Sequence, residues 1–178
     1  MTVAPILTTD RLILRPIALE DWEPYAAAWA DPAMVAFIGG IPRDRTTSWA
    51  KLLSAAGLWS LCGFGYWTFA CRETGVWLGN GGLARFERGL KELEGVPEAG
   101  WALAPAAWGK GLATEAMAAA LDWADRTLDV PEVRCIIDTD NVASRAVARK
   151  IGFTQCASTQ DAIGPVDVFR KAFARAIS

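Results

Sequence analysis

The sequence predicts a mixed α/β fold, and three observations predict it. Two runs rich in aromatic and branched residues, 64–72 and 76–84, flank a Glu73-Thr74-Gly75 turn and read as an antiparallel hairpin. An apolar run, 99–104, closes at Pro105 and leads through a glycine-containing stretch, 108–113, into a helical pattern at 114–128. A further strand-like run, 133–138, precedes Asp140-Asn141, either of which can cap the helix that follows. At 178 residues, 52% hydrophobic and 21% charged, the chain suits one domain spanning 1–178, with a sizeable core and no expected disorder.

The remaining elements follow in order. Arg11-Leu12-Ile13-Leu14-Arg15 reads as a short strand that stops at Pro16. A helix is expected from about Glu20 to Ala30, its acidic first turn suiting the helix dipole and Asp31-Pro32 ending it. Trp22, Ala26 and Trp29 share its buried face. Thr46, Thr47 and Ser48 offer an N-cap for a second helix reaching about Ala56, with Gly57 as its stop. Arg85 to Pro97 is charged, glycine-punctuated and loop-like. In the helix at 114–128, Ala113, Met117, Leu121, Ala124 and Leu128 lie near one face. Pro131 separates it from the strand at 133–138. The last helix groups Ala143, Val147 and Ile151, and Gly152-Phe153 is its left-handed stop with an apolar contact. Gly164 to Phe173 holds a final strand.

Composition removes several function classes. A net charge of -2 gives no general attraction to polyanions, so nucleic acid is not an expected partner. The chain has no histidine, which excludes Ser-His-Asp and Cys-His catalytic pairs. The four cysteines form no C-x-x-C pair, so no metal site is expected, and they read as reduced residues of a cytoplasmic protein. Met1 to Pro5 lacks the basic and apolar regions of a secretory signal. No uncharged apolar run approaches the ~20 residues of a membrane span.

Trp108-Gly109-Lys110-Gly111-Leu112-Ala113-Thr114 sits between a strand and a helix. A helix start leaves backbone N–H groups unpaired and carries partial positive charge, and glycines let the backbone approach a phosphate closely. Lys110 adds a mobile charge and Thr114 a hydroxyl. The alternative is a glycine-rich turn that holds nothing. A dinucleotide-binding G-x-G-x-x-G would need glycine where Thr114 stands, and a Walker loop needs Ser or Thr where Gly111 stands.

This stretch resembles the coenzyme-binding motif of the GNAT superfamily of acetyl-CoA-dependent N-acetyltransferases. Within that superfamily the chain looks most like the branch of ribosomal-protein N-terminal alanine/serine acetyltransferases. Thr9 to Pro16 is similar to the branch's opening strand, Leu78 to Leu83 to its third strand, and Glu98 to Ala116 to the coenzyme motif. Asn141-x-x-Ser144 through Gly152-Phe153 is similar to the motif that follows. The pattern Gln/Arg-x-x-Gly-x-Gly/Ala falls on Trp108, Gly109, Lys110, Gly111, Leu112 and Ala113, with Trp108 replacing the usual Gln or Arg. The resemblance implies a mixed, mostly antiparallel sheet of about seven strands, splayed between the fourth and fifth and flanked by about four helices. It implies acetyl-CoA as co-substrate, with no metal. The pantetheine arm would lie in the splay and pair with main chain around Trp101, Ala102 and Leu103. Its diphosphate would rest on Trp108 to Thr114, with Asn141 and Ser144 as further contacts.

The implied chemistry is direct attack of a neutral amine on the thioester. Glu98, at the mouth of its strand, is the candidate base acting through water, against the alternative of a solvated carboxylate. Many superfamily members place a tyrosine acid where this chain has Ala148, and neither Tyr25 nor Tyr66 is an evident substitute. Ser144 can orient a water or contact the thiol sulfur, or serve only as a first-turn hydroxyl. Asn141 can contact the pantetheine amide or act purely as a cap. Glu115 favours the helix dipole. Cys135 packs as a small hydrophobe rather than carrying an acetyl group. Trp49, Trp59, Trp67, Trp77 and Trp101 are candidates for an acceptor pocket, although most tryptophans must be core. Arg145 and Arg149 share a helix face and read as solvated rather than phosphate-binding. The acceptor is expected to be a primary amine on a protein N-terminus or a small molecule, and the chain a monomer or homodimer. The alternative function is a non-catalytic module of the same fold that binds or senses acyl-CoA.

Overall fold

Alternation along the strands sets the architecture. Leu12 and Leu14 are fully buried while Ile13 and Arg15 between them are half-buried, the period-two pattern of a strand with one face on the core. The computed structural model describes residues 2–174. Its strands are β1 (Leu7–Thr8), β2 (Leu12–Arg15), β3 (Tyr66–Cys71), β4 (Trp77–Ala84), β5 (Glu98–Leu103), β6 (Glu132–Asp138), β7 (Thr154–Gln160) and β8 (Pro165–Ala172). They form one eight-stranded sheet in the order β1-β2-β3-β4-β5-β6-β8-β7. Every neighbouring pair is antiparallel except β5 and β6. The helices are α1 (Trp22–Trp29), α2 (Pro32–Val35), α3 (Arg45–Cys62), α4 (Leu112–Thr127) and α5 (Val142–Lys150).

The sheet is covered on both faces. α4 turns Ala116, Met117, Ala120, Leu121 and Ala124 onto one face, where they meet Leu12, Leu14, Phe69 and Leu83. Burying Met117 and Leu121 contributes about 1.5–3 kcal/mol each. On the other face, Tyr25, Ala28 and Trp29 of α1 pack with Met34, Val35, Leu52 and Trp77. A buried ion pair anchors that layer. Arg15 grips Asp21 with two bonds of 2.7 and 3.0 Å, and Asp21 also accepts from the Thr68 hydroxyl and the Ala18 N–H.

The structure departs from the sequence reading in four places. The second helix begins after Asp44, whose carboxylate accepts from the Thr47 N–H at 2.7 Å, and runs through Gly57 to a left-handed stop at Gly63. Mid-helix glycine costs only about 1 kcal/mol, which the packing of Leu52 and Trp59 outweighs. Asp31-Pro32 ends one helix and also starts another, since Asp31 caps α2 and Pro32 takes its first position. The edge strand β7 is added; its Thr-Gln-Cys-Ala-Ser-Thr-Gln sequence has no apolar face to reveal it. With the two-residue β1 also present, the strands of the described residues number eight rather than about seven, and the splay stays where it was expected, between the strands at 98–103 and 132–138, which become the fifth and sixth.

Candidate active site

β5 and β6 touch at one end only. Glu98 aligns with Arg134, whose N–H donates to the Pro97 carbonyl at 3.0 Å. Beyond that pair the two strands have no shared register, while β6 stays paired with β8 from Glu132 to Asp138. The sheet therefore splits. Backbone of β5 along the split is left without a strand partner and can bond a ligand instead. Two cavities open on the split, of about 670 and 350 Å³, and they share Phe37, Ile38, Trp101, Ala102, Asn141 and Ser144.

The smaller cavity is a groove between the starts of α4 and α5. It is lined by Trp101, Ala102, Leu103, Trp108, Gly109, Gly111, Leu112, Ala113, Thr114, Asn141 and Ser144. Of the residues expected to hold the coenzyme, Lys110 alone turns away, its ammonium donating to the Ala106 carbonyl at 2.7 Å. Gly109 and Gly111 have φ of 71° and 74°, a left-handed conformation that side chains resist. Gly111 is the N-cap of α4, and no side chain caps that helix start. The loop is braced on both sides. The Trp108 indole N–H donates to the Leu103 carbonyl at 2.6 Å, and Arg11 donates to the Lys110 carbonyl at 2.8 Å.

Glu115, in the first turn of α4, holds that brace. It accepts from the Thr9 hydroxyl, the Arg11 N–H and the Arg11 guanidinium at 2.6–2.9 Å. Burial opposes its ionisation, but these bonds outweigh it and keep its carboxyl below the usual range. Its charge is thus turned to Arg11 rather than left to repel an anion at the helix start.

α5 starts differently. Asn141 Oδ1 accepts from the Ser144 N–H at 3.0 Å, so the cap is the asparagine and not the serine. The Ser144 hydroxyl has no protein partner among the described residues and borders both cavities. Arg145 is not solvated; it donates to the Thr139 carbonyl and pairs with buried Asp167 at 3.1 Å. Lys150, unremarked in the sequence, lines the groove instead.

The larger cavity contains Glu98. The register places Glu98, Gly100 and Ala102 on one face of β5, beside Asn80 and Gly82 of β4 and Tyr66 and Thr68 of β3. Tyr66 lies in the row with Gly82 and Gly100, and a Cβ added at Gly100 would collide with its hydroxyl. The phenol is thereby laid across the glycines toward Glu98. Burial first, and the Glu98 charge second, push the Tyr66 hydroxyl well up, so it keeps its proton and can donate a hydrogen bond at any ordinary pH. Sequence reading set Tyr66 aside because nothing in its local pattern shows that two glycines on other strands clear its path.

Glu98 is 5% exposed. Arg88 grips both its oxygens, Nε to Oε2 at 2.5 Å and a terminal nitrogen to Oε1 at 2.8 Å. Burial raises its carboxyl above the ordinary range despite the opposing pull of Arg88. Arg88 comes from the loop before β5 and carries no sequence signal of this role. Cys135 also borders this cavity; burial, then Glu98, push its thiol well up, which suits a packed thiol rather than a nucleophile. Of the five tryptophans offered for an acceptor pocket, only Trp101 lines a cavity. Trp59 and Trp67 stack edge to face with Trp123, Trp49 with Trp22, and Trp77 with Tyr25. Trp29 joins the lining instead.

Comparison with known proteins bears on this arrangement. The family of the acetyltransferase (GNAT) domain matches residues 11–154. An acetyltransferase of Agrobacterium tumefaciens str. C58 has 31% identity and a TM-score of 0.83, covering 96% of each chain. An uncharacterized N-acetyltransferase of Bacillus subtilis (strain 168), YoaA, is 26% identical over 150 residues, which is 84% of this chain and 82% of the other. A ribosomal-protein-S5-alanine acetyltransferase from Vibrio fischeri, 14% identical, shares the fold with a TM-score of 0.77 over 98% of this chain and all of that one. With its split sheet, its open helix start and a family match over most of its length, the chain belongs to the GNAT acetyltransferase family and is an N-acetyltransferase.

Proposed function

We propose that residues 1–178 form one N-acetyltransferase domain that moves the acetyl group of acetyl-CoA to a primary amine, on a protein N-terminus or a small molecule, by direct attack. The observation that carries this reading is the pairing of a helix start without a side-chain cap, at Gly111, with a buried carboxylate, Glu98, on the split strand that leads into that helix. Backbone N–H groups of the Gly109–Thr114 loop would bond the diphosphate, each charge-assisted bond contributing about 1.5–3 kcal/mol. The pantetheine would run along Trp101 to Leu103, between the two cavities, with Asn141 and Ser144 on its far side.

The amine nitrogen then attacks the thioester carbonyl carbon and the carbon–sulfur bond breaks. The amine's proton passes through a water to Glu98, whose raised carboxyl makes it a stronger base than an exposed one. The thiolate leaves and takes up a proton. Tyr66 holds its proton too tightly to give it to the thiolate, so that proton comes from water, and the phenol is the hydroxyl available to donate a hydrogen bond to the carbonyl oxygen. Cys135 takes no part.

One observation favours the second reading, a module that binds acyl-CoA without turning it over: both Glu98 oxygens are occupied by Arg88. The test is calorimetry with CoA, followed by thiol release from acetyl-CoA with a panel of amines. The first reading requires submillimolar CoA binding and amine-dependent thiol release. Binding without release from any amine selects the second, and no binding removes both.

A further inference from the structure

Resting on that reading, we propose that the acceptor is a small apolar amino carboxylic acid, its carboxylate held by Arg43 and Lys51 and its amine directed to Glu98. The larger cavity is lined by charges of both signs. Lys51, Ser54, Ala55 and Leu58 fall on one face of α3 and form a wall that is cationic at one end and apolar at the other. Arg43 lines the same cavity with its guanidinium 3.6 Å over the Trp29 ring. Neither Arg43 nor Lys51 has a carboxylate partner among the described residues. Stacking on an indole fixes the guanidinium plane and leaves donors free for a carboxylate.

The same cavity is also lined by carboxylates. They are Glu87, Glu98, Asp138 and Asp161, with Arg88 already committed to Glu98. Two buried polar atoms belong to residues of this cavity and have no protein partner. Asn80 Oδ1, on a side chain 4% exposed, is an acceptor, and Trp29 Nε1, on a side chain 5% exposed, is a donor. Buried groups of this kind are seldom left unmatched. Both atoms are closed off from the open cavity, so a ligand reaches them only through a shift of the lining. Trp29, Ile41, Leu58 and Phe86 make the rest of the lining apolar. A cavity of about 670 Å³ accommodates such a molecule together with the end of the donor's arm. A polyamine would meet two unpaired cations here, and a protein N-terminus would bring an amide where the carboxylate belongs.

The experiment measures thiol release from acetyl-CoA with L-phenylalanine, L-leucine, their amides, phenethylamine, spermidine and a peptide beginning with alanine. The proposal expects kcat/KM for each acid to exceed that for its amide by about tenfold or more. Arg43→Gln and, separately, Lys51→Gln should collapse the acid-to-amide ratio toward one; because the readout is a ratio, a general loss of activity does not imitate it. Lys51 is exposed, so that variant tests the idea even if Arg43→Gln folds poorly. Equal rates for acid and amide, unchanged ratios in both variants, or release only with the peptide or spermidine would overturn the proposal and leave the acetyltransferase reading standing. No release from any amine, with CoA still bound, would instead remove the reading beneath it.

Discussion

The two helices that begin beside the split sheet start in opposite ways. α5 is closed by its own chain, with Asn141 accepting from the Ser144 N–H. α4 begins at a left-handed glycine with no side-chain cap, although Arg11, Glu115 and Trp108 hold the loop around it firmly. A helix start that is rigid yet left open has its donors fixed in place before any ligand arrives. That is the difference between a structural end and a binding end, and it concerns what the surroundings are held to rather than glycine content alone.

The strongest way to break this comparison is to give α4 an anion of its own. Gly111→Asp should weaken CoA binding about a thousandfold, since it repels the diphosphate and competes for two or three charge-assisted bonds. Calorimetry reads the loss, while the melting temperature should move little because asparagine and aspartate tolerate the left-handed conformation best among side chains. Binding at the parent's affinity would mean that the open start is not the phosphate site.

Between the two helix starts lies the mouth of β5. Glu98→Gln should lower kcat about a hundredfold with CoA affinity unchanged. Its companion, Arg88→Ala, tests the pH behaviour. Burial raises the Glu98 carboxyl and Arg88 lowers it, so removing Arg88 should move the titration further up. A base must be ionised, so the activity of that variant should fall away at higher pH on the acid side than the parent's does. NMR titration of carboxyl-labelled protein checks the same shift directly. A downward or absent shift would contradict the account of Glu98.

Much of this was legible from residues alone, for a physical reason. The 98–116 stretch is a strand, turn and helix contiguous in the chain, so local patterning displays the loop and its helix together. The acceptor side is assembled from β3, β4, β5, α1, α3 and the loop before β5, and no local pattern joins Tyr66 to Gly100 or Arg88 to Glu98. β7 escaped for a different cause: as an edge strand it is polar on both faces, so its existence depends on pairing with β8 rather than on an apolar stripe. Gly57 misled in the opposite direction, because a glycine stops a helix only where the chain turns left-handed, and that happens at Gly63.

The smallest expected effect sharpens the contrast from the closed side. Asn141→Ala should cost about 1 kcal/mol of stability, as loss of an N-cap does, and raise the KM for acetyl-CoA only a few-fold. Thermal melting and steady-state kinetics on one preparation separate the two quantities. A large KM change with an unaltered melting temperature would make Asn141 chiefly a ligand.

The grip of Arg11 on the Lys110 carbonyl has a consequence for anyone who engineers this enzyme. It ties the sheet's outer margin to the donor's seat across a gap of 99 positions in the chain. Changes made near β2 for solubility, tagging or fusion would reach the coenzyme as altered affinity, so that margin is a remote tuning handle rather than neutral ground.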